Sequence, residues 1–153
     1  VIDDRCSRRR RLTLGSTLAR RLPCDLLMNN RVVMVVEDDP DLRELLCCVL
    51  SSDRVEARGF ADGHKAAEAL MREEPPSAIL LDLRLPVLNG WDLFTWLRRQ
   101  PGLEETPVLV MSGAPVERLE LTLEHQPAAC LRKPFDPDDL MRALEQALTK
   151  ARP

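Results

Sequence analysis

The chain contains no tyrosine, and its other aromatic residues are only two tryptophans and three phenylalanines among 153 residues. No apolar run approaches the roughly 18 residues that a membrane span requires, so we expect no membrane association. The five cysteines form no CxxC pair and no cluster with histidine, which argues against the common zinc and redox motifs. An odd, unpatterned set of thiols is typical of a reducing compartment, and we therefore expect a cytoplasmic protein.

The net charge of −3 conceals two parts of opposite sign. Residues 1–30 contain seven Arg and three Asp, a net charge of +4, whereas residues 31–153 have a net charge of −7. An acidic domain is a poor ligand for nucleic acid, so we expect none to bind it. Residues 1–28 lack the apolar core of a signal peptide, and we expect a disordered extension there and one domain over 29–153. A basic arm for nucleic acid or anionic lipid is the alternative for this extension.

Short apolar runs alternate along the chain with segments of helical periodicity. The predicted strands cover about 32–36, 54–58, 78–82, 107–111 and 128–132. The predicted helices cover about 40–50, 62–73, 90–99 and 115–125, and a fifth runs from about 136 through 148. Strict alternation of strands and helices predicts a doubly wound α/β fold, with a five-stranded parallel sheet between two layers of helices.

Four of the apolar runs end in polar residues that carry reactive groups. Glu37 and Asp38 follow VVMVV, Asp82 follows AILL, Ser112 follows PVLVM, and Lys133 follows ACLR. In a parallel sheet, ligands bind outside the carboxyl ends of the strands, where the strand order reverses. We therefore expect all five side chains along one edge of the sheet.

The three carboxylates of this edge indicate a metal site. If their strands pair, Glu37, Asp38 and Asp82 lie about 4.8 Å apart, a separation at which they repel unless a cation intervenes. Mg²⁺ prefers oxygen ligands and is often shared with phosphate. A carboxylate beside Mg²⁺ can attack phosphorus, with Lys133 and Ser112 available to stabilise charge on the phosphoryl oxygens.

Four segments in this order and spacing resemble the receiver domain of bacterial two-component response regulators, a family that includes the chemotaxis regulators. They are VVMVVEDDPDLRELL, LLDLRLPVLNGWDL, TPVLVMSGA and LRKPFDPDDL, within about residues 31–150. The resemblance implies a flavodoxin-like three-layer sandwich with the strand order 2-1-3-4-5. It also implies a phosphorelay signalling module rather than an enzyme.

The resemblance assigns a role to each motif residue. Asp82 matches the phosphoacceptor, which receives a phosphoryl group from a sensor histidine kinase or a histidine phosphotransfer protein. Ser112 and Lys133 match the residues that contact the phosphoryl group. A downstream protein target or onward phosphotransfer would then carry the signal.

The same resemblance implies a Mg²⁺ site. Glu37 and Asp38 match the acidic pair, and Asp82 together with the backbone carbonyl of Arg84 completes the implied protein ligands. The sequence departs from the family at Cys130, where many members have Tyr or Phe. We therefore expect loops and helices, rather than a rotating aromatic ring, to carry the signal.

Two other interpretations follow from the same residues. One is a phosphohydrolase with Asp82 as nucleophile, although such enzymes usually place the nucleophile after their first strand in a DxDxT motif. Here the candidate nucleophile follows the third predicted strand, within Asp82-Leu83-Arg84. The other interpretation is a receiver domain that belongs to a larger hybrid kinase.

Overall fold

The structure, a computed structural model, describes residues 31–113 and 126–150. Its strands are β1 (Arg31–Val36), β2 (Val55–Phe60), β3 (Ala78–Asp82), β4 (Val108–Ser112) and β5 (Ala129–Arg132). Its helices are α1 (Pro40–Leu50), α2 (Gly63–Arg72), α3 (Gly90–Leu97) and α4 (Pro137–Lys150). The helix predicted over about 115–125 lies outside the described residues, so α4 corresponds to the fifth predicted helix.

The five strands form one parallel sheet in the order β2-β1-β3-β4-β5, which confirms the predicted fold. The chain moves outward from β1 to β2 and then crosses to the other side of β1 to form β3. Val36 pairs with Leu81 in the β1–β3 register. The residues that follow β1 therefore lie beside the last residue of β3.

Alternate residues of the strands face two separate apolar layers. On one side of the sheet, Ile79 and Leu81 belong to a core cluster with residues of α2 and α3. On the other side, Ala78 and Leu80 belong to a cluster with residues of α1 and α4. All five residues of β3 are buried, which explains why this strand reads as an uninterrupted apolar run until Asp82.

The start of α1 is fixed by two residues directly after the acidic pair. Asp39 is the N-cap, and its side chain accepts hydrogen bonds from the backbone N–H groups of Asp41 at 2.9 Å and Leu42 at 3.0 Å. Pro40 occupies the first helical position, where a missing N–H leaves no hydrogen bond unmade. The cap fixes the direction in which the chain leaves β1, next to Glu37 and Asp38.

Several element bounds differ from the predicted ones by one or two residues, and three of these differences illustrate the local causes. Strand β2 continues to Phe60 because its pairing with β1 extends that far. Strand β4 begins at Val108, since Pro107 has no N–H for the ladder. Helix α3 ends at Leu97, and the chain continues in turns in which Arg99 and Gln100 donate to the carbonyls of Trp96 and Leu97, three residues back. None of the helices in the described ranges is both long and apolar enough to cross a membrane.

Gly90 packs the start of α3 directly against the end of β3. A Cβ atom at this position would lie 2.1 Å from the carbonyl oxygen of Asp82 and 2.6 Å from Cα of Leu83. The N–H of Gly90 also donates to the carbonyl of Leu83 at 3.1 Å. Because both close atoms belong to the backbone, no side-chain rotation can relieve the overlap.

We predict that Gly90→Ala lowers the free energy of unfolding by about 3 kcal/mol, the upper part of the range for overpacking. Gly102→Ala is the matched control, because Gly102 has φ +84° but a Cβ atom added there would meet no atom of residues 31–113 or 126–150 within 4 Å. It should lose only about 1 kcal/mol through backbone strain. Urea unfolding of both variants without Mg²⁺ tests this, and equal losses would show that the contact with β3 is unimportant.

Candidate functional site

The predicted carboxylates meet at the carboxyl edge of the sheet. Asp82 is the last residue of β3, and Glu37 and Asp38 follow β1. One carboxylate oxygen from each residue lies within 4.8 Å of the others. Glu37 is only 1% exposed and Asp82 5%, whereas Asp38 is exposed. Two of the three charged groups have therefore lost most of their contact with water.

Lys133 follows β5 and joins the two buried carboxylates. Its Nζ donates to Oε2 of Glu37 at 2.6 Å and to Oδ2 of Asp82 at 2.5 Å. Its backbone N–H donates to the carbonyl of Ser112 at 2.8 Å, and the Lys133–Pro134 peptide is cis. Because β4 separates β5 from β3, only a long side chain from this position can span the distance to Asp82.

Burial and the neighbouring charges shift the pKa values of Glu37 and Lys133. Burial raises the pKa of Glu37, and the hydrogen bond and charge of Lys133 offset only part of that effect. Burial opposes the charge of Lys133, but the hydrogen bonds and the negative charges of Asp82 and Glu37 together outweigh burial and raise the pKa of the ammonium. The lysine therefore stays protonated at neutral pH, while the ionised form of Glu37 is destabilised.

Arg84, in the loop after β3, contacts two residues at this edge of the sheet. The backbone N–H of Arg84 donates to Oδ1 of Asp82 at 2.8 Å, so both oxygens of that carboxylate accept a hydrogen bond. A Cβ atom on Gly113 would lie 2.7 Å from Nη2 of Arg84, which places the guanidinium over that glycine. Ser112, the last residue of β4, is 3% exposed at the same edge.

The structure thus brings Glu37, Asp38, Asp82 and Lys133 into direct proximity, with Ser112 on the neighbouring strand. One further residue that was not predicted contacts the site: Nη1 of Arg43 donates to the carbonyl oxygens of Glu37 at 2.6 Å and Asp38 at 3.1 Å. The only signal for this contact is an arginine within the first turn of α1. A surface helix commonly carries such a charge, so a local pattern offers no reason to select it.

The donor set suits a small, hard divalent cation. Carboxylate oxygens are the ligands that Mg²⁺ prefers, and an ion held at about 2.1 Å from each oxygen would bring two ligands within about 4.2 Å of each other. The oxygens of Glu37, Asp38 and Asp82 are already within 4.8 Å of one another. A cation here would also relieve the repulsion between carboxylates that a single ammonium balances incompletely.

Comparison with known proteins identifies the family. The sequence pattern of the response regulator receiver domain matches residues 33–145, so the chain belongs to the response regulator receiver domain family. The DNA-binding response regulator MtrA of Mycolicibacterium smegmatis is 33% identical over 120 residues, which cover 77% of this chain and 50% of MtrA. The chain spans about half the length of the curated relatives that it matches first.

Two solved structures share the fold over nearly their whole length. A sensor protein from Polaromonas sp. JS666 has a TM-score of 0.71 at 28% identity, covering 80% of this chain and 98% of that one. The receiver domain of the sensor histidine kinase PA1611 from Pseudomonas aeruginosa PAO1 has a TM-score of 0.67 at 26% identity, covering 78% and 98% respectively. That receiver domain was solved with a magnesium ion coordinated in its active site cleft.

We predict that Glu37→Gln raises the melting temperature of the metal-free protein at pH 7. The variant keeps an acceptor for Lys133 but removes a buried charge. Since the folded-state pKa of Glu37 is raised, its ionised form opposes folding above that pKa, and the penalty disappears as the pH falls through it. The advantage of the variant over wild type should therefore shrink towards pH 4.

Glu56→Gln is the control, for which we expect the melting temperature at pH 7 to change in the opposite direction. The hydrogen bond from Arg58 lowers the pKa of Glu56, so ionised Glu56 favours folding at neutral pH and loses that contribution as the pH falls. Its side chain is 54% exposed, so the effect should be small. Thermal melts of both variants between pH 4 and pH 7 test the pair. A melting temperature of Glu37→Gln below that of wild type at pH 7 would contradict the claim that ionised Glu37 opposes folding.

Proposed function

We propose that this receiver domain takes a phosphoryl group onto Asp82 from the phosphohistidine of a sensor kinase or a histidine phosphotransfer protein, in a reaction that requires Mg²⁺. The observation that carries the proposal is the position of the Asp82 carboxylate. It lies buried beside two other carboxylates and within 2.5 Å of the Lys133 ammonium. A nucleophile, a hard-cation site and a fixed cation thus occupy one edge of the sheet.

The transfer is an exchange of one bond to phosphorus for another. A carboxylate oxygen of Asp82 attacks the phosphorus atom, the bond from phosphorus to the donor imidazole breaks, and the bonding electrons leave with the imidazole nitrogen. The incoming phosphoryl oxygens carry negative charge that must be balanced as the two groups approach. Lys133 already contacts Asp82 and can turn its Nζ to these oxygens, and Ser112 offers a hydroxyl donor on the neighbouring strand.

Glu37, Asp38, Asp82 and the carbonyl of Arg84 are the proposed protein ligands of Mg²⁺. When bound, the ion supplies positive charge shared between the carboxylates and the phosphoryl oxygens. The magnesium ion of the PA1611 receiver domain supports this assignment. The raised pKa of Glu37 supports it too, because a second cation would compensate the charge that Lys133 balances only in part.

Phosphorylated Asp82 would alter binding to a downstream protein or pass the phosphoryl group on, in the cytoplasm. MtrA is a DNA-binding response regulator, and the PA1611 domain belongs to a sensor histidine kinase. Both arrangements are therefore open to a domain of this kind. The folded domain, with its net negative charge, acts in either case through protein partners.

We predict that incubation with a radiolabelled small acyl phosphate and Mg²⁺ labels the wild-type protein in an acid-stable form. Asp82→Asn should reduce this labelling to background, because the amide keeps the shape of the side chain but lacks the nucleophile. Asp53→Asn is the control, since Asp53 is exposed and lies in the turn before β2, at the opposite edge of the sheet. Undiminished labelling of Asp82→Asn would overturn the assignment.

We also predict that Mg²⁺ raises the thermal stability of the unphosphorylated protein. A ligand that binds only the folded state adds about 2.7 kcal/mol at a hundredfold excess over its Kd, which corresponds to a rise on the order of 10 °C for a domain of this size. Asp38→Ala should show almost no rise, whereas Asp53→Ala should match wild type. Melts at constant ionic strength test this, and equal rises in all three proteins would place the metal elsewhere.

A further inference from the structure

Arg43 of α1 holds the short loop that carries the acidic pair. A single nitrogen, Nη1, donates to the carbonyl oxygens of Glu37 at 2.6 Å and Asp38 at 3.1 Å. The backbone N–H of Arg43 itself donates to the carbonyl of Asp39 at 2.9 Å, which ties the arginine to the capped first turn of α1. The guanidinium therefore contacts the backbone of the loop, whose two carboxylates lie within 4.8 Å of that of Asp82.

The stem of Arg43 reaches this loop along a path that a glycine leaves open. Gly59 lies on β2 and pairs with Val35 of β1. A Cβ atom on Gly59 would lie 3.0 Å from Cγ and 3.1 Å from Cδ of Arg43, and 3.2 Å from Sγ of Cys47. A larger residue at position 59 would therefore require the arginine stem and the Cys47 side chain to shift by a few tenths of an ångström.

We propose that Arg43 is a positioning residue for the metal site, which fixes the Glu37–Asp38 backbone so that the carboxylates converge with Asp82 on Mg²⁺. This inference rests on the proposed function. Arg43 offers no ligand atom, since a guanidinium only donates hydrogen bonds. Residues that orient metal ligands from outside the coordination sphere typically change metal affinity by about 10- to 100-fold when they are replaced.

The direction in which Mg²⁺ affinity changes when Arg43 is replaced distinguishes a positioning role from a purely electrostatic one. A positive charge near the site repels Mg²⁺, so removing a purely electrostatic arginine would tighten metal binding. Loss of a positioning arginine would instead weaken binding, because the loop and its carboxylates gain freedom. A purely structural role would lower the melting temperature without changing Mg²⁺ affinity.

The test is to measure the Kd for Mg²⁺ by isothermal titration calorimetry on the full chain. We expect Arg43→Met, which keeps most of the stem, to bind Mg²⁺ about tenfold more weakly than wild type. The Mg²⁺ affinity of Arg43→Lys should lie between those of wild type and Arg43→Met, because lysine keeps the charge but can reach only part of the loop. Arg54→Met is the matched control: Arg54 is exposed, in the turn before β2 at the opposite edge of the sheet, and its replacement should change the Kd less than twofold.

Gly59→Ala is a second perturbation, which changes the surroundings of the Arg43 stem without replacing the arginine itself. The added methyl should displace the stem and weaken Mg²⁺ binding in the wild-type background, but should have no further effect when combined with Arg43→Met. Additive losses would overturn the proposed path of the stem and with it the inference. Should Arg43→Met fail to fold, Arg43→Lys and Gly59→Ala decide together, and wild-type Mg²⁺ affinity in both variants would refute the role of Arg43.

Asp38→Ala in the same titration separates two kinds of failure. If Asp38→Ala loses Mg²⁺ binding while Arg43→Met binds as tightly as wild type or more tightly, the metal site is correct and the role of Arg43 is wrong. If Asp38→Ala binds Mg²⁺ like wild type, the proposed metal site is wrong, and the inference about Arg43 fails with it.

Discussion

Two carboxylates with almost no exposure to water, Glu37 and Asp82, share the single ammonium of Lys133 at the carboxyl edge of the sheet. Removing charged groups from water is unfavourable unless opposite charges and hydrogen bonds compensate it. One lysine compensates the pair incompletely, as the raised pKa of Glu37 shows. The site can therefore accept additional positive charge, and its carboxylate oxygens are ligands that suit a hard divalent cation.

The strand order creates this concentration of charge. Because β1 and β3 are neighbours, the residues after β1 lie beside Asp82 although they are distant in sequence. Complete burial of β3 fixes Asp82 at the end of a rigid strand, and Gly90 allows α3 to begin directly against it. Strand β5 lies two strands away from β3, on the far side of β4, and Lys133 follows it. The sheet thus holds Asp82 and Lys133 in place, while the loops after its strands complete the cluster.

The order of the elements and the position of the site could be predicted from sequence, because both depend on periodicity and on the residues that end the apolar runs. Asp82 illustrates this, since it terminates a fully buried strand. The individual contacts of long side chains could not be predicted in the same way. The hydrogen bonds of Arg43 to the loop, and the guanidinium of Arg84 over Gly113, depend on rotamers that no local pattern encodes.

The most direct test of the central interaction is a ¹³C nuclear magnetic resonance titration of the Glu37 side-chain carboxyl in the metal-free protein. We predict a midpoint above the ordinary Glu value of about 4.3, because burial disfavours the ionised form more than Lys133 favours it. A midpoint at or below that ordinary value would contradict the claim. It would mean that Lys133 alone already balances the buried carboxylates and that the site has no need of a second cation.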